Sequence, residues 1–362
     1  MFVHSGINLG AALAPLVAGS LHRREGYEAG FLSAAFGMAV CLVTYQGLQW
    51  VITDSLRRKG THRGGLGTRG FRGGADADVF DDFEADGAVR SRRGNRGVGG
   101  SNPTGRDARD HSTPVTSPHG GSTHGGTSHT FTEVCAKHKT RLSAMAAVCV
   151  LSAGFWCAYE QQGNTTALFA DQWVDLSGTP TEFVQSVNPV LILALTPAVT
   201  RIWDRQRLMG TEPTQVTKMA IGSMLCSLSY LILAAAASAS GVGGAGAEPT
   251  KNQMSFGWLF LHLVVLTAGE LYLSPVGLSF VTAAAPSELI GLSMGAWFLS
   301  SFAGNYLSGE LGSLYAYVGA PRFFTIVAGV AGTVGVALFA SSKRLTRELD
   351  PSALVEDDYE RI

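Results

Sequence analysis

Eight apolar stretches of roughly bilayer-spanning length punctuate the chain: residues 2 to 21, 29 to 53, 142 to 170, 187 to 203, 216 to 240, 256 to 283, 289 to 318 and 322 to 341. A helix satisfies its own backbone groups where water is absent, so each stretch is predicted to be a transmembrane α-helix. The fourth is short and the sixth and seventh are long, which predicts tilted or kinked helices rather than uniform rods. Pro15, Pro189, Pro197 and Pro275 fall inside these runs. Packed neighbours can accommodate the backbone groups that a proline frees. Gly304, Ser308 and Gly312 recur every four residues, a spacing that puts them on one helix face and predicts close contact with another helix.

The apolar rhythm stops between residues 54 and 141. Glycine runs with scattered Ser, Thr and His leave nothing to bury, so this segment is expected to be disordered. It carries 15 of the chain's 27 basic residues, and basic loops sit on the cytoplasmic side. Alternation from there puts Arg201, Arg205, Arg207, Lys218, both termini and the tail with Lys343, Arg344 and Arg347 on that side too. Arg23 and Arg24 fall outside, beside Glu25 and Glu28. The acidic patch from Asp76 to Asp86 and the arginines after it read either as a solvated linker or as a lipid-contacting element. His111, His119, His124 and His129 lack the tight spacing of metal ligands.

Composition agrees with the pattern. Hydrophobic residues make up 46% and charged residues 15% of the 362. The mean hydropathy of +0.18 averages the apolar runs with the polar insert. The net charge of -1 is uninformative for the same reason, and nothing points to nucleic acid. Cys41, Cys135, Cys149, Cys157 and Cys226 show no CxxC spacing, which favours small buried side chains over metal ligands or disulfides.

Against this apolar background, polar residues at membrane depth carry the chemistry. Glu160 lies in Phe155-Trp156-Cys157-Ala158-Tyr159-Glu160-Gln161-Gln162-Gly163-Asn164, and Glu270 in Gly269-Glu270-Leu271-Tyr272-Leu273-Ser274-Pro275. Asn8, Asn188 and Asn305 add amides in three further runs. One shared cavity would satisfy all five. A single amide is more often an interhelical hydrogen bond, whereas an intramembrane carboxylate usually marks an ion or substrate pathway.

Taken in order, these residues resemble the proton-dependent oligopeptide transporters, the POT or PTR branch of the major facilitator superfamily. The resemblance rests on Ile7-Asn8-Leu9-Gly10, Gly26-Tyr27, Gly30-Phe31, Gly37-Met38, Phe155-Trp156, Glu160-Gln161-Gln162-Gly163-Asn164, Gln185 and Asn188-Pro189. It continues through Gly269-Glu270, Ser274-Pro275-Val276-Gly277-Leu278, Met294-Gly295-Ala296-Trp297-Phe298-Leu299 and Gly304-Asn305. It implies an all-α membrane protein with a partial major facilitator fold of about eight transmembrane helices. Residues 1–53 would be the last two helices of the N-terminal half, 54–141 the cytoplasmic linker, 142–342 the complete C-terminal six-helix half, and 343–362 a cytoplasmic tail. The family's first-helix Glu-x-x-Glu-Arg-Phe motif and fourth-helix lysine are absent from this sequence. The chain therefore reads as a truncated form that lacks the N-terminal helices.

The resemblance implies a peptide:proton symporter of di- and tripeptides in the plasma membrane, with no cofactor beyond the coupling protons. Glu160 matches a proton-binding position that exchanges partners with the first-helix arginine. Glu270 matches one that contacts the substrate's amino group and the fourth-helix lysine. Asn8, Gln161, Asn164 and Asn188 would offer amide contacts, with Ser274 beside Glu270, and Phe155, Trp156, Tyr159 and Trp297 would line side-chain pockets. Alternatives are a same-family transporter of nitrate or another small solute, and a non-transporting scaffold that pairs with a chain supplying the missing N-terminal helix bundle. His4 or His262 beside Glu160 could suggest an intramembrane hydrolase, but no HExxH pair or GxSxG elbow is present. The protein is not expected to be an enzyme.

Overall fold

The computed structural model describes residues 2–63, 131–248 and 254–349. Contacts group the chain into one unit of Met1–Leu42 with Ser128–Ile362 and a second of Val43–Thr127. Long helices dominate: α1 (Phe2–Glu25), α2 (Tyr27–Arg63), α4 (Lys139–Tyr159), α6 (Glu182–Leu208), α7 (Gln215–Ala239), α8 (Phe256–Ala284), α9 (Ile290–Gly312) and α11 (Ala320–Leu349). Short helices α3 (Phe131–Lys137), α5 (Thr165–Trp173) and α10 (Tyr315–Val318) connect them. All eight expected helices are present among the described residues.

Six segments are long and apolar enough to cross a membrane by length and composition: Tyr27–Gln49, Lys139–Trp173, Glu182–Leu208, Gln215–Ala239, Phe256–Ala284 and Ala320–Glu348. The helices α1 and α9 are not among these six. The chain is an integral, multi-pass membrane protein.

Several boundaries differ from the sequence reading. The short run at 187 to 203 belongs to the 27-residue α6, since polar flanks lengthen a helix without adding hydropathy. The run at 289 to 318 is interrupted where α9 ends at Gly312, before α10. Both ends of the expected linker are helical, because α2 continues to Arg63 and α3 and α4 begin at Phe131 and Lys139. The rest of it, 64–130, lies outside the described residues. The expected tail starts inside α11, which runs to Leu349.

Helix α7 packs between α8 and α11, α4 packs on α9 and α11, and α6 packs on α1 and α8. Glycines make the closest crossings. A methyl group on Gly222 of α7 would lie 2.7 Å from the Gly269 carbonyl of α8, and the converse distance is the same. The row on α9 does what its spacing predicts. A Cβ on Gly304 would sit 2.3 Å from Trp156 Cβ of α4, and one on Gly312 would sit 2.6 Å from Asn164 Nδ2. Between them, Ser308 bonds Gln161. At one end of the bundle, Tyr230, Phe169, Tyr315, Phe323 and Phe324 form an aromatic cluster.

Caps and a strand pair fix the helix ends. The Thr214 side chain accepts from the Thr217 amide at the start of α7, and Ser255 does the same for Gly257 at the start of α8. Two short strands, β1 (Val174–Asp175) and β2 (Met254–Ser255), pair in parallel just before α6 and α8. At the opposite ends, the turn between α6 and α7 is tied by Glu212, which accepts from Arg207 Nε at 2.9 Å and pairs with Lys218. The Lys218 ammonium also lies 4.5 Å from the centre of the Trp203 ring.

Candidate functional site

The third apolar run does not cross as one helix. The helix α4 ends at Tyr159, residues Glu160–Gln162 form a single 3₁₀ turn, and α5 restarts at Thr165. Asn164 leaves helical geometry with φ -104° and ψ -99°, at a Gly-Asn pair of the kind that punctuates helices.

Three helices meet at the Glu270 carboxylate. The Tyr159 hydroxyl of α4 donates to Glu270 Oε2 at 2.6 Å. Asn188 Nδ2 of α6 donates to the same oxygen at 3.0 Å. Asn188 Nδ2 also lies 3.0 Å from Thr267 Oγ1, one turn before Glu270 on α8. The second carboxylate oxygen, Oε1, takes no bond from the described residues. Glu160 lies close enough to interact electrostatically with both Glu270 and Tyr159, and its polar neighbour on α9 is Asn305. Ion pairs among the described residues lie elsewhere, so the partners at Glu270 are a neutral hydroxyl and a neutral amide. Neutral donors can orient a carboxylate without cancelling its charge. Such a group accepts an ammonium or a proton.

The aromatic residues before the break build one wall. Phe155 stacks on Tyr159 with ring centres 5.7 Å apart, and Trp156 meets Tyr159 edge-on at 5.6 Å. This fixes the ring whose hydroxyl reaches Glu270.

The remaining expected site residues are placed differently. Gln161 is fully buried and works as a helix tie: its Nε2 donates to the Ser308 carbonyl at 2.8 Å and the Ser308 hydroxyl at 3.0 Å, while its Oε1 accepts from Thr165. Both ends of the Gln161 amide are thus engaged inside the protein in this structure. Phe155 has no exposed surface, so it backs Tyr159 rather than lining an open pocket. Trp156 is also buried, against Gly304. Trp297 is closed into a notch at Gly277, where an added Cβ would lie 2.1 Å from Trp297 Cη2. Asn164 is exposed beside Gly312, Ser274 is half-buried one turn beyond Glu270, and Asn8 is buried on α1, the helix that packs on α6.

Thr267 and Ser308 were not among the expected site residues. The signal for Thr267 was its spacing, Thr267-Ala268-Gly269-Glu270, which puts both polar groups on one face.

Comparisons with known proteins follow this geometry. A family model, PTR2: POT family, matches residues 111–324. The chain is 33% identical over 187 residues to a peptide transporter of Yersinia enterocolitica, covering 50% of this chain and 35% of that protein. It is 27% identical over 226 residues to a di-/tripeptide transporter of Lactococcus lactis subsp. cremoris, covering 60% and 44%. It thus spans about a third to under half the length of these curated relatives. Among solved structures, a peptide transporter POT aligns over 96% of this chain and 67% of its own, at 22% identity and a TM-score of 0.61. A POT family transporter in complex with a thioalcohol-conjugated peptide aligns over 58% and 43%, at 26% identity and a TM-score of 0.51.

Proposed function

Because the chain belongs to the POT family, whose model covers more than half of its length, we propose that it is the C-terminal, carboxylate-bearing part of a proton-coupled symporter of di- and tripeptides. The observation that carries this reading is the Glu270 cluster, a carboxylate oriented by Tyr159 and Asn188 with one oxygen uncommitted. A peptide is a zwitterion, and its ammonium needs an anionic acceptor in a site largely shielded from water. The names of the relatives in Yersinia and Lactococcus, and the peptide conjugate bound to a structural neighbour, support the substrate class.

In this reading the protons use the same carboxylates. Protonating Glu270 removes the charge that an ammonium seeks, so proton and peptide binding are coupled at one group. Glu160 is the second proton site, near enough to sense the charge on Glu270. Transport proceeds by alternating access between two helical halves. The present chain supplies the six-helix bundle from α4 to α11 and two helices of the other half, and the longer assembly supplies a cation for the peptide carboxylate. Both termini and the 54–141 segment face the cytoplasm, and the membrane is the plasma membrane.

The test is binding of labelled dialanine to the chain in lipid nanodiscs, compared with N-acetyl-dialanine, which lacks the ammonium. Wild type should bind dialanine and discriminate against the acetylated form by at least about tenfold, as for a lost charge-assisted bond. Glu270→Gln should abolish that discrimination. Equal binding of both ligands by the wild type would overturn the reading, and preferential displacement by nitrate would favour a small-anion transporter.

A further inference from the structure

The bonds around Asn188 define a job for Thr267. The Thr267 hydroxyl has one proton and donates it to the Leu263 carbonyl at 2.7 Å. Toward Asn188 it can therefore only accept. Asn188 Nδ2 stands 3.0 Å from Thr267 Oγ1 and 3.0 Å from Glu270 Oε2, so both N–H groups of the amide are aimed at acceptors on α8. Its Oδ1, on the other limb of the planar group, faces away from those two acceptors.

Glu270 enforces that orientation only while it is ionised. Once protonated it can donate a hydrogen bond, and a flipped Asn188 amide, with its oxygen toward Glu270, becomes acceptable on that side. It remains unacceptable to Thr267, whose lone pair would meet the amide oxygen. We infer that Thr267 is a positioning residue that locks the Asn188 amide in one orientation whatever the charge on Glu270, so that its two N–H groups stay directed at Thr267 and Glu270 through the proton cycle. The link to peptide recognition rests on the reading of the site proposed above, whereas the lock itself does not.

The experiment uses the full chain in nanodiscs with ¹⁵N-labelled asparagine side chains. The Asn188 amide signal is assigned by its loss in Asn188→Asp, and Glu270→Gln serves as the neutral mimic. Thr267→Ser and Glu270→Gln should each leave a single signal at the wild-type position. Thr267→Val combined with Glu270→Gln should move or split it. Movement already in Thr267→Val alone also supports the lock, since the hydroxyl is then the main restraint. An unmoved signal in the double variant overturns the inference, as does a signal displaced equally by Thr267→Ser, which keeps the hydroxyl. If Thr267→Val does not fold, Thr267→Ala replaces it. In parallel, dialanine affinity should fall about tenfold in Thr267→Val and stay within about twofold in Thr267→Ser. If wild type binds no dialanine, the peptide reading fails while the amide signal still decides the role of Thr267.

Discussion

At the scale of single residues, the chain shows two ways of holding a carboxylate. Glu270 is oriented by neutral donors inside the bundle, whereas Glu212, in the turn between α6 and α7, is held by cations. Burial works to raise the proton affinity of Glu212, but hydrogen bonds from Arg207 and Lys218, with their charges, carry its pKa below the ordinary carboxylate value. A depressed carboxylate stabilises the fold above its unfolded pKa, about 4.3 for glutamate. That stability is lost as pH falls through the lower folded value. Glu212→Gln should therefore lower the unfolding free energy at neutral pH by about 0.5 kcal/mol, given solvent screening. The difference from wild type should shrink as the pH falls through the depressed folded value, and a difference independent of pH would show that the charge is not responsible. Glu160 and Glu270 stood out in the sequence because an ionisable group contrasts with an apolar run. The tie made by Gln161 was not legible, because an amide at membrane depth looks the same in sequence whether it faces a cavity or joins two helices. Thr267 was overlooked because a threonine in such a helix offers little contrast.

At the scale of elements, contact between helices is set by missing side chains. A Cβ at Gly277 would overlap the Trp297 ring, and one at Gly304 would overlap Trp156 on α4. Overpacking of this kind costs about 1–3 kcal/mol per site. Gly304→Val should therefore lower the thermal midpoint, while Gly295→Ala, in open space on the same helix, should leave it unchanged. Equal losses at both positions would show that the close crossing at Gly304 is not responsible. The small-residue row of α9 was legible from spacing alone. The break after α4 was not, although Gly163-Asn164 marks it, because the apolar residues on both sides let 142 to 170 read as one helix. The clasp joining the end of α1 to the start of α6, where His22 Nδ1 and Glu182 Oε1 are 2.5 Å apart and His22 stacks on Tyr27, was equally silent. Its two partners lie 160 positions apart in the chain.

At the scale of the molecule, the apolar runs were enough to predict the helices, and the ordered motifs enough to predict the family. Neither reported which helices touch, because each helix meets lipid and protein with similar residues. The exposed Phe31, Leu32, Phe36 and Met38 of α2 illustrate this: their sequence resembles that of the buried α8. If transport belongs to the longer assembly, vesicles containing this chain alone should bind labelled dialanine without accumulating it under an inward proton gradient. Accumulation by the chain alone, abolished by Glu160→Gln, would make it a complete transporter. The Gly304 crossing bears on how such a machine would move. With α4 and α9 this close at Gly304 there is no slack between them, and Glu160 stands just past the end of α4, in the 3₁₀ turn that follows Tyr159. A change of charge at Glu160 cannot be absorbed by sliding these two helices past each other. Gln161 pins that same turn to Ser308 of α9, which leaves the path across Tyr159 toward α6 and α8 for any displacement.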